Sequence, residues 1–170
     1  IRVVVAAVLL LFALRIKGKK LPKEKKIWRD FIVISLINNV LPFSLIMWAE
    51  TQISSGLTSV LNASAPLWSV ILALVLRTEK ITWHRLLGMV FGFAGVVVVI
   101  GMGSLEGLGI NILAQLGMLL ATLSYAVAGN YTQRVKDIDP TIISTGQVIC
   151  SSIIMLPIVA RTAEDMLRLV

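Results

Sequence analysis

The sequence predicts an all-α fold, a polytopic bundle of transmembrane helices, and three observations carry that expectation. The chain of 170 residues is 57% apolar, and its mean hydropathy of +0.90 lies well above that of a water-soluble domain. Charged residues make up only 15% of the chain and are confined to short intervals. Between them lie runs with no Asp, Glu, Lys or Arg at 31–49, 51–76, 86–105, 107–133 and 140–160. Each holds about the 20 residues that carry a helix across ~30 Å of hydrocarbon.

Taken in order, the first element is a partial span, Val3 to Leu14. The chain opens at Ile1 without an initiator Met, no basic leader precedes this stretch and no small-residue cleavage site follows it. It therefore reads as the end of a truncated transmembrane helix rather than a signal peptide. The next loop carries Arg15, Lys17, Lys19, Lys20, Lys23, Lys25, Lys26 and Arg29 against Glu24 and Asp30. Arg77, Lys80 and Arg85, then Arg134 and Lys136, lie on the same side, which holds thirteen of the sixteen Lys and Arg. The alternate loops, around Glu50 and Glu106, have none, and the tail balances Arg161 and Arg168 with Glu164 and Asp165. Retention of positive charge in the cytoplasm places loops 15–30, 77–85 and 131–139 inside and both ends of the chain outside a cell (inner) membrane. Aromatic residues fit that map: Trp28, Trp83 and Tyr131 mark cytoplasmic helix ends and Trp48 an outer one. Asp139 followed by Pro140 reads as an N-cap and first helical position for the last span.

The net charge of +7 raises nucleic-acid binding. Here the excess sits on short loops beside spans, where topology and anionic headgroups account for it, so no nucleic-acid partner is expected. Cys150 is alone inside a span and reads as a small buried hydrophobe. The one histidine, His84, stands beside Arg85 at a helix start, and no catalytic set, metal cluster or phosphate loop can be assembled. Neither enzyme activity, cofactor nor metal is expected.

Inside the spans one spacing repeats. Asn38 and Pro42 in one helix, and Asn62 and Pro66 in the next, both read Asn-x-x-x-Pro. Proline has no N–H for the carbonyl four residues earlier, so each helix is expected to bend near mid-bilayer and expose polar groups. Such groups persist at that depth only where protein or a watered cavity satisfies them. Ser35, Asn38, Asn39 and Pro42 form a stripe at helical spacing, as do Ser55, Ser59, Asn62, Pro66 and Ser69, and both stripes are expected to face inward. Their functional reading is a cavity wall for a solute, and the alternative is helix–helix glue. The candidate binding set is Asn38, Asn39, Trp48, Ser59, Asn62, Trp68 and Tyr125, with hinges at Pro42 and Pro66. Gly88, Gly92 and Gly95 form a small-residue face for helix packing, and Gly117 opens a second one with Ala121, Ser124 and Ala128.

Asn38-Asn39-Val40-Leu41-Pro42-Phe43-Ser44-Leu45, with the stretch Ser54 to Leu67, resembles the third and fourth helices of EamA-type proteins in the drug/metabolite transporter superfamily. Glu79-Lys80-Ile81-Thr82, Leu86-Leu87-Gly88 and Gly95-Val96-Val97-Val98 are similar to that family's cytoplasmic turn and fifth helix, and Leu116 to Ala126 resembles the helix opening its second repeat. The resemblance implies ten helices in two inverted five-helix repeats, of which this chain would hold helices two to seven. Residues 1–101 would then be a first repeat lacking its first helix, 102–110 an outer linker, and 111–170 the opening two helices of the second. Inversion accounts for the strongly basic loop after helix two and the balanced one after helix seven.

No span contains an Asp, Glu, Lys or Arg, so a coupling group would sit in the missing helices or at an edge such as Glu50. Neutral amides with Trp48, Trp68 and Tyr125 suit a small amphipathic or zwitterionic solute, an amino acid or related metabolite, and the resemblance implies export. The expected partners are that small-molecule solute and the lipid bilayer, with a homodimer as a candidate assembly. A non-transporting membrane scaffold stays open as the alternative.

Overall fold

A computed structural model describes residues 2–76, 82–100 and 111–168. The turn at Glu79-Lys80-Ile81, with Arg77, and the linker 102–110, with Glu106, lie outside the described residues.

The described residues are mostly helical and contain no strand. In chain order they form α1 (Arg2–Ile16), α2 (Lys25–Ser35), a π-helical turn (Leu36–Val40), α3 (Leu41–Glu50), α4 (Ser55–Asn62), α5 (Ala65–Val75), α6 (Trp83–Ile100), α7 (Ile112–Thr132), a 3-10 turn (Gln133–Val135) and α8 (Pro140–Arg168). Among the described residues four stretches are long and apolar enough to cross a membrane: Lys25–Glu50, Ser55–Val75, Ile112–Val135 and Pro140–Pro157. They match charge-free runs of the sequence, and α1 and α6 add shorter apolar segments at Val4–Ile16 and Leu86–Gly95. Large apolar side chains stand exposed along them, among them Phe12, Val75, Leu113 and Ile153. Apolar exposure of that extent suits a lipid solvent.

The chain divides into two compact units, 1–40 with 131–170, and 41–130. In the first, α1 and α2 both pack on α8. Its core joins Phe31, Ile34, Val135, Ile143 and Cys150, with Ile27, Trp28, Tyr131 and Ile138 against them. Phe31 lies over Gly146, where an added Cβ would come within 2.2 Å of the ring. α1 ends in a Schellman motif. Lys19 N–H bonds the Leu14 carbonyl and Gly18 N–H that of Arg15, with Gly18 at φ +63° supplying the left-handed residue this geometry requires.

In the second unit, α3 and α6 pack against α4, and Ala49, Ala114 and Met118 join α3 to α7. Ser54 caps α4, accepting from Leu57 N–H at 3.3 Å. Asn111, ahead of α7, donates its side-chain amide to the Gln52 carbonyl at 2.7 Å, tying two turns together.

Candidate functional site

The two Asn-x-x-x-Pro segments share a spacing but not an outcome. At Pro42 the helix continues, because the π turn Leu36–Val40 lies just ahead of it. In a π turn each N–H bonds the carbonyl five residues back instead of four, so the ladder shifts by one residue next to the proline. Asn38 and Asn39 sit in that turn and Pro42 is buried. At Pro66 the helix breaks. α4 ends at Asn62, Ala63 and Ser64 form a turn, and Pro66 opens α5 in its first turn, where a missing N–H costs nothing.

In the first unit the π turn carries a polar network to α8. Ser151 Oγ donates to the Gln147 carbonyl at 2.7 Å. A hydroxyl has one proton, so its other two contacts are accepted. They come from Asn39 Nδ2 at 2.7 Å and from Ser35 Oγ at 2.8 Å. Asn38 Nδ2 donates to Gln147 Oε1 over a longer 3.4 Å. Ser35 and Ser151 are fully buried, while Asn38, Asn39 and Gln147 are half-buried. Each interhelical bond of this kind contributes on the order of 0.6 kcal/mol in a bilayer. Both asparagines keep their side-chain carbonyl and one N–H, and Gln147 its amide nitrogen, uncommitted among the described residues.

In the second unit the other stripe lies open. Ser55, Ser59, Asn62, Pro66 and Ser69 are all exposed, and none of the described residues covers this stripe. Ser59 Oγ donates to the Ser55 carbonyl at 2.8 Å, and Ser69 Oγ to that of Ala65 at 3.3 Å. The Asn62 carbonyl receives nothing from Pro66, and the N–H groups of Leu67 and Trp68 both go to the Ser64 carbonyl, at 2.9 and 3.3 Å. A backbone carbonyl left facing hydrocarbon costs several kcal/mol, so this face requires water, protein or a solute against it. Ser64 Oγ is buried and pairs with Thr122 Oγ1 of α7 at 3.3 Å, which ties the break to the unit's core.

The remaining candidates are dispersed. Trp48 is exposed, with its ring edge laid over Gly117, where an added Cβ would meet Cζ3 at 2.9 Å. Trp68 and Tyr125 are half-buried. Gly117, Ala121, Ser124 and Ala128 form a buried face on α7, whereas Gly88, Gly92 and Gly95 on α6 are exposed, with nothing within 4 Å of an added Cβ. Sequence reasoning passed over Gln147 and Ser151. Their signal was present, as two polar residues four apart on one face of a charge-free run.

The first unit gathers charges at its loops. Lys19 pairs with Asp139, and Tyr131 Oη donates to Asp30 Oδ1 at 2.9 Å. Trp28 Nε1 donates to the Pro22 carbonyl at 2.8 Å, and the Arg134 guanidinium stands 4.8 Å from the Tyr131 ring centroid. Asp139 also caps α8, accepting from Thr141 N–H at 2.9 Å. The Lys19 ammonium, with the Thr141 N–H, holds its carboxyl down at about 2. His84, exposed at the start of α6, has no such partner among the described residues.

Residues 1–101 match the EamA-like transporter family. The chain is 26% identical over 140 residues to the uncharacterized transporter YoaV of Bacillus subtilis, covering 82% of this chain and 48% of that protein. It is 27% identical over 138 residues to the uncharacterized inner membrane transporter YedA of Escherichia coli K12, covering 79% and 43%. Over 101 residues, 58% of this chain and 33% of the relative, it is 31% identical to a probable terminal-alkyne amino-acid exporter of Streptantibioticus cattleyicolor. The chain thus spans about half the length, or less, of the curated relatives it matches. No solved structure matches it. With membrane-length helices, two proline-interrupted polar segments and a family match over more than half its length, the chain belongs to the EamA-like transporter family.

Proposed function

We propose that this chain forms part of a carrier that moves small amphipathic or zwitterionic metabolites, such as amino acids, out of the cell by alternating access. The observation that carries the reading is the pair of irregular helices, one with a π turn ahead of Pro42 and one broken at Pro66. Each Asn-x-x-x-Pro segment leaves uncommitted hydrogen-bonding groups within a membrane-length helix, where carriers place their solute sites. Asn38, Asn39, Ser59, Asn62, Trp48, Trp68 and Tyr125 form the proposed contact set. Pro42 and Pro66 are the proposed hinges, since a π turn and a helix break are where a span can flex at low cost. The relative named as a probable amino-acid exporter supports both the solute class and the direction. Loop 15–30, with its net positive charge, and loop 131–139, with Arg134 and Lys136, are proposed to face the cytoplasm.

A scaffold reading has one observation in its favour, the hydrogen bonds that join Asn38 and Asn39 to α8. Asn38→Leu and Asn62→Leu separate the two. A carrier loses solute efflux by about tenfold, the equivalent of one hydrogen bond to a bound solute, while each variant still purifies as a single folded species. Misfolding of Asn38→Leu with unchanged efflux in folded Asn62→Leu would leave the scaffold reading standing instead.

A further inference from the structure

We infer that the break between α4 and α5 is a hydrogen-bond acceptor site for the ammonium group of the solute. The inference rests on the carrier reading above and deepens it by naming the solute group that this face takes.

Hydrogen-bond capacity along the open stripe is lopsided. The protons of Ser59 and Ser69 are committed to carbonyls of their own helices, so both hydroxyls turn lone pairs outward. The Asn62 backbone carbonyl has no donor among the described residues, because Pro66 has no N–H and the next two N–H groups are taken by Ser64. Pro66 also removes one of the N–H groups that would otherwise open α5, and Leu67 and Trp68 are spent, so the N-terminus of α5 has few donors left for an anion. What faces out at the break is therefore the carbonyl end of α4, the end of a helix that favours a cation. Asn62 adds a side-chain amide able to turn its oxygen to the same point. No carboxylate lies in residues 51–76, so recognition would run through neutral acceptors. Oriented carbonyls that have lost their own donors suit a primary ammonium, which brings three N–H bonds and accepts none. A carboxylate would find few donors there.

L-leucine and 2-hydroxy-4-methylpentanoate, which carries a hydroxyl in place of the ammonium, form the test pair. Binding to the purified protein in detergent is read by thermal stabilisation, and flux is measured separately in vesicles. Leucine is expected to bind about tenfold or more tightly than the hydroxy acid, the equivalent of one or two hydrogen bonds. Pro66→Ala restores an N–H four residues after Asn62, and Ser59→Ala with Ser69→Ala removes two acceptors while leaving the break in place. Both variants are expected to weaken leucine by about fivefold to tenfold and leave the hydroxy acid unchanged. Equal affinity for the two probes, no leucine binding, or leucine affinity unchanged in both variants would each overturn the inference. Discrimination in binding with no flux of either probe defeats the carrier reading and leaves the site. Equal flux of both probes, with equal binding, defeats the site and leaves the carrier.

Discussion

Gly146 shows how much a single hydrogen can decide in a packed helix pair. It is buried in α8 beneath Phe31, itself fully buried, and an added Cβ would lie 2.2 to 2.8 Å from three atoms of the ring. Phe31 cannot swing aside without disturbing Ile34, Ile143 and Cys150 in the same cluster. Gly146→Ala is therefore expected to destabilise by about 1–3 kcal/mol through overpacking. Gly129 on α7 meets nothing within 4 Å, so Gly129→Ala is expected to be neutral or to stabilise by up to about 1 kcal/mol through helix propensity. Thermal unfolding of both variants in detergent checks the contrast, and equal effects would mean that the α2–α8 contact is looser than described. Neither glycine is distinguishable in the sequence. Both sit in apolar helical runs, and only the partner 115 positions away makes one of them indispensable.

Among elements, the start of α8 was legible residue by residue and its anchoring was not. Asp139-Pro140 reads as a cap from the sequence, and the carboxylate does accept from Thr141 N–H. The second duty of Asp139, its pairing with Lys19, joins residues 120 apart and leaves no local mark. The two duties separate by substitution. Asparagine at this position would keep a capping side chain, so Asp139→Asn removes chiefly the ion pair, whereas Asp139→Ala removes both. The folded carboxyl titrates at about 2 against an ordinary 3.8, so its charge stabilises the fold fully above the ordinary value. That contribution is lost as pH falls through about 2. The thermal midpoint of wild type is thus expected to exceed that of Asp139→Asn at neutral pH, with the gap closing between about pH 4 and pH 2. A gap that widens with acid would contradict the pairing. The paired prolines teach a similar lesson. Equal Asn-x-x-x-Pro spacing located both interruptions, yet the first became a π turn bonded to Gln147 and Ser151 and the second a break bonded to Thr122. Partners on distant helices chose between them.

For the whole molecule the remaining question is which way the helices run through the bilayer, and the first unit limits the answers. Lys19 with Asp139, and Asp30 with Tyr131, bring loops 15–30 and 131–139 to one end, so any topology that puts them on opposite sides is excluded by contact alone. Loop 15–30 is strongly basic, loop 131–139 adds Arg134 and Lys136, and positive charge is retained in the cytoplasm, so this end is proposed to face the inside. The helical stretch Lys25–Glu50, 26 residues and about 39 Å at 1.5 Å per residue, is long enough to cross the hydrocarbon, so the turn at Thr51 and Gln52 is proposed to lie on the outer side. Single cysteines test this directly, in a background where Cys150, itself buried, is replaced by Ala. Cysteine introduced at Lys20 or Lys136, both exposed, is expected to react with a membrane-impermeant maleimide only once the cytoplasmic face is opened. Cysteine introduced at exposed Gln52 is expected to react in intact cells. A full reversal would defeat the proposed orientation while sparing the fold. Labelling of Lys20 and Lys136 positions from opposite sides would be more serious, because no orientation of this unit can separate two loops held together by the Lys19–Asp139 pair.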